Sequence, residues 1–129
     1  MSLTDRKLLS ITQIEGRIAS HDAFLKRELD RRKPALDYVE DASSLAEYVG
    51  GSAEPLGSGE GWVIAKEMFP GVEIVLIYHR ADDEFPSSLR ALYAGDRIRD
   101  TKGLDLAELT IACVNQMLRY IRETVEDPP

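Results

Sequence analysis

The chain has 129 residues, of which 43% are hydrophobic and 30% charged, and its formal net charge is −7 at pH 7. One domain of this length buries roughly two thirds of its unfolded surface, so it needs no disulfide or metal to stay folded. The acidic balance disfavours nucleic-acid binding, which requires clustered Lys and Arg; the basic run from Lys26 to Lys33 is interleaved with Glu28 and Asp30. The lone Cys113 excludes an internal disulfide and a cysteine metal cage, and it fits a reducing compartment.

No apolar run approaches the roughly 18 to 20 residues that cross a bilayer, and the N-terminus lacks the apolar core of a signal sequence. A cytoplasmic protein with no membrane contact is therefore expected. The chain is predicted to form a single domain over 1–129, with a helical part at 5–49, a loop at 50–61, and a sheet plus C-terminal helix at 62–126.

The N-terminal third has the period of an amphipathic helix. Its apolar residues fall within a narrow arc at 100° per residue. They are Ile11, Ile14, Ile18, Leu25 and Leu29. This stripe predicts one long helix over about 5–32, ended by Pro34, although a break near Gly16 or at 20–22 fits the same residues. A helix with so narrow a stripe contacts one partner along a seam.

A second, weaker helical stretch covers 35–49. Ser44 and Glu47 have the spacing of a capping box, and Gly50-Gly51 supply a C-terminal stop. The following segment, SAEPLGSGEG, has no apolar period and is predicted to be a loop.

From Trp62 onwards the apolar period changes to two, which is typical of strands. Two strands are predicted at Trp62–Phe69 and Val72–His79, joined by a tight turn in which Gly71 supplies a positive φ. The second strand is almost entirely apolar and is predicted to be central. A third strand is predicted at 89–94, and a short fourth segment around Ile98 would fit the same pattern. Such short connections predict an antiparallel meander.

The last predicted element is an amphipathic helix over Asp105–Val125, about 30 Å long. Its apolar arc of roughly 200° is about twice the width that a sheet-packing helix needs, so we expect it to contact the sheet on one side and the N-terminal helix or a second subunit on the other. The fold is predicted to be α+β: a long N-terminal helix, an antiparallel meander of three or four strands, and this helix packed on the sheet.

A homodimer is also predicted, with the N-terminal helix in or beside the interface, because both helices leave apolar surface to bury. In the competing monomer, the N-terminal helix folds back onto the C-terminal helix of its own chain.

The densest cluster of ionisable residues follows the predicted central strand and consists of His79, Arg80, Asp82, Asp83 and Glu84. Metal sites need histidine and carboxylates that converge on one point, but the spacing here is not that of a calcium loop. A solvated turn whose charges protect a hairpin from edge pairing explains the cluster more simply. These five residues are therefore candidates for binding only, and no catalytic residue, metal ligand or cofactor is predicted.

Three further features have structural interpretations that outweigh the chemical ones. His21 lies at the edge of the apolar stripe and is predicted to pack at an interface. The glycines of 57–61 open a strand rather than a helix, so they lack the context of a phosphate loop. Cys113 lies on the apolar arc of its helix and is predicted to be a buried small hydrophobe, because a nucleophile needs exposure and a nearby base.

Residues Tyr78–Tyr93, YHRADDEFPSSLRALY, resemble a motif of a prokaryotic family described only as a domain of unknown function. In that family an apolar strand runs into an acidic DEFP-like turn, followed by a strand that ends in an aromatic residue and by a leucine-rich C-terminal helix. The corresponding pieces of this chain are Val72–His79, Asp83–Pro86, Leu89–Tyr93 and Leu106–Ile121. The resemblance implies proximity to anaerobic metallo-cofactor metabolism, and it supplies no catalytic residues.

Two classes of function fit the sequence. The preferred one is a non-catalytic binding or accessory module that self-associates. The alternative is a small metal-dependent or hydrolytic enzyme centred on His79 and the loop of Asp82, Asp83 and Glu84. The two differ in geometry: in the enzyme the imidazole and two of these carboxylates share one concave pocket, and in the binding module they splay into solvent.

Overall fold

The computed structural model describes residues 7–16, 21–55 and 61–124. In chain order the elements are α1 (Ile11–Glu15), α2 (His21–Leu36), α3 (Ala42–Val49), β1 (Ser52–Pro55), β2 (Gly61–Phe69), β3 (Val72–His79), β4 (Ser88–Ala94), a 3₁₀ helix (Ile98–Asp100) and α4 (Gly103–Thr124). The strands form one antiparallel sheet in the order β1-β2-β3-β4, and the helices cover one of its faces. The predicted α+β class, the antiparallel meander and the C-terminal helix are confirmed. No helix in these ranges has the length and apolarity needed to cross a membrane.

The prediction of a single N-terminal helix over 5–32 is wrong. Helix α1 ends at Glu15, and the chain turns at Gly16, whose φ of 93° lies in the left-handed region that favours glycine. Helix α2 starts separately, so the break near Gly16, which the sequence left open, is the arrangement found. Ile18 lies outside the described residues.

Helix α2 continues past Pro34, which was predicted to end it. Proline removes one helical hydrogen bond, but two residues later Leu36 is fully buried, and burial of a leucine is worth about 1.5–3 kcal/mol. Leu25 and Leu29 are also buried, in the core that α2 shares with α4. The seam that was expected to need a partner is therefore covered by the C-terminal helix of the same chain.

Helix α3 begins at a different cap from the predicted one. The Asp41 carboxylate accepts from the Ser44 N–H at 3.2 Å and from the Ser44 hydroxyl at 2.7 Å, so the capping box of Ser44 with Glu47 is wrong. The predicted stop is confirmed, because Gly50 has a φ of 79°. The predicted loop after it contains β1, which pairs with β2 although its sequence, SAEP, lacks apolar alternation.

Strand β3 is central, between β2 and β4, as predicted. Its side chains alternate between the helix-covered face and the opposite face, where Val75 and Ile77 are buried with residues of β2. The predicted turn at Gly71 is present, with a φ of 83°. The prediction of a strand around Ile98 is wrong, because this segment is a 3₁₀ helix. The additional strand that brings the sheet to four is β1, which precedes the three predicted strands in the chain.

Helix α4 contacts the sheet on one side and the other three helices on another, which its wide apolar arc predicted. Cys113 is buried in this core, and burial raises the pKa of its thiol, so the packing role predicted for it is confirmed. The hydroxyls of Thr110 and Tyr93 are hydrogen bonded to each other at 2.7 Å between helix and sheet. Each buried polar group of this pair thus has a partner.

Candidate functional site

The residues predicted as binding candidates separate into two groups at the end of β3. His79, Arg80 and Asp82 line a surface recess of about 700 Å³. Asp83 and Glu84 are exposed and do not line it. The structure therefore brings one carboxylate of the predicted three to the histidine.

The Asp82 carboxylate holds its own loop. Its Oδ1 accepts from the backbone N–H of Glu84 at 2.8 Å and from that of Phe85 at 2.7 Å. The Asp82 N–H in turn donates to the Phe85 carbonyl at 2.9 Å. The hydrogen bonds to the carboxylate, that from Phe85 first, lower the pKa of the Asp82 carboxyl. An Asx turn of this kind is a structural use of aspartate.

Arg80 is fixed against a pair of aromatic rings. Its Nη2 donates to the Val39 carbonyl at 2.7 Å, and its guanidinium carbon lies 5.9 Å from the centroid of the Tyr78 ring. That ring stacks on Trp62, with centroids 5.2 Å apart. The Tyr78 hydroxyl donates to Asp37 at 2.5 Å, and burial followed by this bond raises the pKa of Tyr78 to about 12. The start of the loop after β3 is therefore rigidly positioned.

The opposite wall of the recess is α2, which contributes Lys26, Asp30 and Lys33. Lys33 Nζ donates to the Ser87 carbonyl at 2.9 Å, and Lys26 pairs with Asp30 at 3.3 Å on the exposed surface. These residues were missed as site residues because the basic run, interleaved with Glu28 and Asp30, was weighed only as a nucleic-acid site. The signal that marks them is the spacing of seven between Lys26 and Lys33, which puts both on one side of a helix.

A second recess, of about 300 Å³, continues along β4 and shares Lys26, Asp30 and Ser88 with the first. Its apolar lining comes from both walls. It consists of Leu25 and Leu29 of α2 and of Leu89 and Ala91 of β4. The two recesses adjoin at these shared residues, and we call them together, between residues 22–33 and 79–91, the α2–β4 groove.

His21 lies apart from this groove, at the start of α2. Its Nδ1 is 2.9 Å from the Glu15 carboxylate. The same carboxylate faces the first residue of α4, because a Cβ built on Gly103 would lie only 1.9 Å from Glu15 Oε2. His21 therefore joins α1 to α2 at the start of α4, which is a packing role. Of the glycines at 57–61, Gly61 begins β2 and the other positions lie outside the described residues.

In the ranges that the structure describes, no group of three or more His, Cys, Asp or Glu residues is placed to hold a metal ion. No protein-family model, no curated protein and no solved structure matches the chain. The likeness of Tyr78–Tyr93 to a family of unknown function therefore stays an expectation.

Proposed function

We propose that the protein is a non-catalytic binding module that takes its partner in the α2–β4 groove. One observation carries the proposal: the groove joins an apolar lining to a cationic end, the combination of shape and few placed polar groups that marks ligand sites. The cations that line it outnumber the carboxylates, although the chain as a whole has a net charge of −7. Such a groove favours a partner that bears a carboxylate.

The geometry of the β3–β4 loop supports binding over catalysis. The enzyme alternative needs His79 and two carboxylates in one pocket, whereas Asp83 and Glu84 lie outside the groove. The remaining carboxylate, that of Asp82, accepts two backbone hydrogen bonds from its own loop. Both bonds fall on Oδ1 and hold this carboxylate as part of its own loop, which is a structural use of aspartate.

We also propose that the protein self-associates, through a surface other than the N-terminal helices. The apolar seam of the N-terminal helices is buried within the chain, but Phe69 is 53% exposed. Together with Leu109 it lines a separate recess of about 530 Å³ beside the start of α4. Aromatic side chains are enriched at protein–protein interfaces, so we propose this recess as the place where a second copy binds.

The proposal is tested by panning a phage-displayed random peptide library against the protein. We expect enriched peptides to carry acidic residues and to bind Arg90→Glu at least tenfold more weakly, since Arg90 is an exposed cation of the groove. The matched control is Arg119→Glu, which removes an exposed cation of α4 outside the groove and should leave binding unchanged. A library that yields no binder, or binders insensitive to Arg90→Glu, contradicts the proposal.

A further inference from the structure

The outer edge of β4 is only partly paired. Leu9 exchanges two backbone hydrogen bonds with Tyr93, each 2.8 Å long. Outward-facing backbone groups alternate along an antiparallel edge, so the N–H and C=O of Ala91 and Leu89 face the same way as those of Tyr93. The N-terminal segment leaves this edge at Ile11, where α1 begins. In the ranges that the structure describes, no other backbone segment pairs with the remaining edge.

The unpaired edge lies inside the α2–β4 groove. Ala91 and Leu89 form one wall of the smaller recess, and α2 forms the other. Resting on the function proposed above, we infer that the partner is an extended peptide that adds to β4 as an antiparallel strand and continues the ladder begun by Leu9. In strand addition the main-chain hydrogen bonds supply affinity, and pockets for alternate side chains supply specificity.

The register of the added strand defines which side chains it needs. Residues opposite Ala91 and Leu89 point to the helix-covered face, as those two residues do, and so face Leu25 and Leu29 of α2. Both of these peptide positions should be apolar. The residue between them points to the opposite face beside Arg90, where an acidic cross-strand neighbour is favourable.

Charge at the two ends of the groove gives the direction of the peptide. Asp22 lines the groove near Ala91, whereas Lys33 and Arg80 line it at the other end. A strand antiparallel to β4 runs from the first end to the second, so its carboxyl end reaches the cations. The recognised sequence is therefore apolar–acidic–apolar followed by a carboxylate, either the chain terminus or an acidic side chain.

A second copy of this chain is a poorer occupant. Leu9 in each copy already lies opposite its own Tyr93. Two-fold pairing of β4 through Leu89 and Ala91 would bring residue 87 of one copy onto Leu9 of the other. A free peptide has no such neighbour and fits the short open edge.

The test uses the synthetic peptide acetyl-Ser-Val-Glu-Val-Asp and backbone N-methylation. The amides of the two valines are the ones that would donate to β4, whereas the glutamate amide points away from it. We expect N-methylation of either valine to weaken binding to the full chain at least tenfold, measured by calorimetry. N-methylation of the glutamate is the matched control and should change the affinity less than threefold. Amidating the terminus distinguishes a terminal carboxylate, which it removes, from the aspartate side chain, which it keeps.

Three outcomes overturn the inference. If the three N-methylations weaken binding equally, while the peptide still binds the Arg90→Glu variant more weakly than the wild type, strand addition is excluded but the groove stays a binding site. Failure of this peptide and of the whole library removes the proposed function as well. If Ala91→Pro, which deletes an outward-facing N–H that an edge strand can spare, lowers the sedimentation mass of the protein alone, the edge belongs to a second copy.

Discussion

At the scale of single residues, two glycines bring the ends of the sheet together. Gly95 follows β4 with a φ of 121°, and a Cβ built there would lie 2.2 Å from the carbonyl oxygen of Gly71. The same oxygen accepts from the Arg97 N–H at 2.9 Å. The turn after β4 therefore packs directly against the β2–β3 turn. The backbone atoms of Gly71 leave no room for a side chain at position 95.

We expect Gly95→Ala to cost about 2–4 kcal/mol of unfolding free energy, because positive φ and a backbone clash add together. Gly16→Ala is the matched control: φ is also positive, at 93°, but nothing lies within 4 Å of its Cβ, so only backbone strain of about 1–3 kcal/mol applies and the cost should be smaller than that of Gly95→Ala. Gly71→Val should fall between them, since its Cβ meets the flexible Arg97 side chain, with the nearest atom at 2.7 Å. Urea unfolding gives the order, and equal costs for the two alanine variants would show that the turns do not touch.

The Tyr78 hydroxyl provides a test of the site by pH. Its pKa, raised to about 12 by burial and then by the bond to Asp37, exceeds the ordinary value of about 10. Its contribution to stability is therefore complete below about pH 10 and is lost as the pH rises from about 10 towards 12. Between these values Tyr78→Phe should lose stability less steeply than the wild type. In the difference titration at 295 nm between the wild type and Tyr78→Phe, we expect the tyrosinate step near pH 12, and a step near pH 10 would contradict this assignment.

The sequence predicted the loop half of the site and missed the helical half. His79 and Arg80 could be located because His79 ends a clear strand and Arg80 directly follows it. The Lys26 and Lys33 wall could not, because placing it against that loop depends on how α2 crosses β4, which is a contact between distant parts of the chain. Likewise, the tight turn at Gly71 was predictable from local chemistry, but its contact with Gly95 was not.

At the scale of elements, contacts with neighbouring helices and strands decided the secondary structure wherever the local sequence pattern predicted something else. Strand β1 has no strand-like sequence and exists because β2 offers it an edge, with Ala53 opposite Ile64 and Ser52 opposite Ala65. Helix α2 passes through Pro34 because the next turn is buried. The two clearest patterns, the apolar run of β3 and the wide apolar arc of α4, gave correct elements with ends displaced by no more than two residues.

The start of α3 gives a prediction at this scale. Asp41→Ala should lower the melting temperature more than Ser44→Ala, because the aspartate caps the helix and serine only donates to it. The hydroxyl of Ser44, and then its N–H, lower the pKa of Asp41, so this difference should be present above about pH 4 and shrink as the pH falls through the lowered value. A larger effect of Ser44→Ala would restore the serine as the cap.

At the scale of the whole molecule, the helices that the sequence left with apolar surface cover one another. The described N-terminal helices fold back onto the C-terminal helix of their own chain, which is the intrachain packing that the competing monomer required. Periodicity shows how wide an apolar face is but not which surface covers it, so the sequence left both arrangements open.

Sedimentation equilibrium tests self-association at micromolar concentration. We expect a mass near twice 14.4 kDa, because Phe69 and its recess remain to be covered. Phe69→Glu should shift the mass towards that of one chain, whereas the control Phe85→Glu, at a phenylalanine 67% exposed on the loop between β3 and β4, should not. A wild-type mass of one chain would remove the dimer from the proposal.

The two hydrogen bonds between Leu9 and Tyr93 join positions farther apart along the chain than any other backbone pairing in the described ranges. Two hydrogen bonds and the buried side chains of Leu9 and Ile11 hold this segment against the entropy cost of closing a long loop. We expect it to detach by local opening at a lower free energy than the strands of the sheet. In native-state hydrogen exchange the Leu9 amide should then exchange faster than that of Val75 in the central strand. Each opening lengthens the free edge of β4 to Tyr93, so the N-terminal segment is a built-in competitor for any strand that binds there.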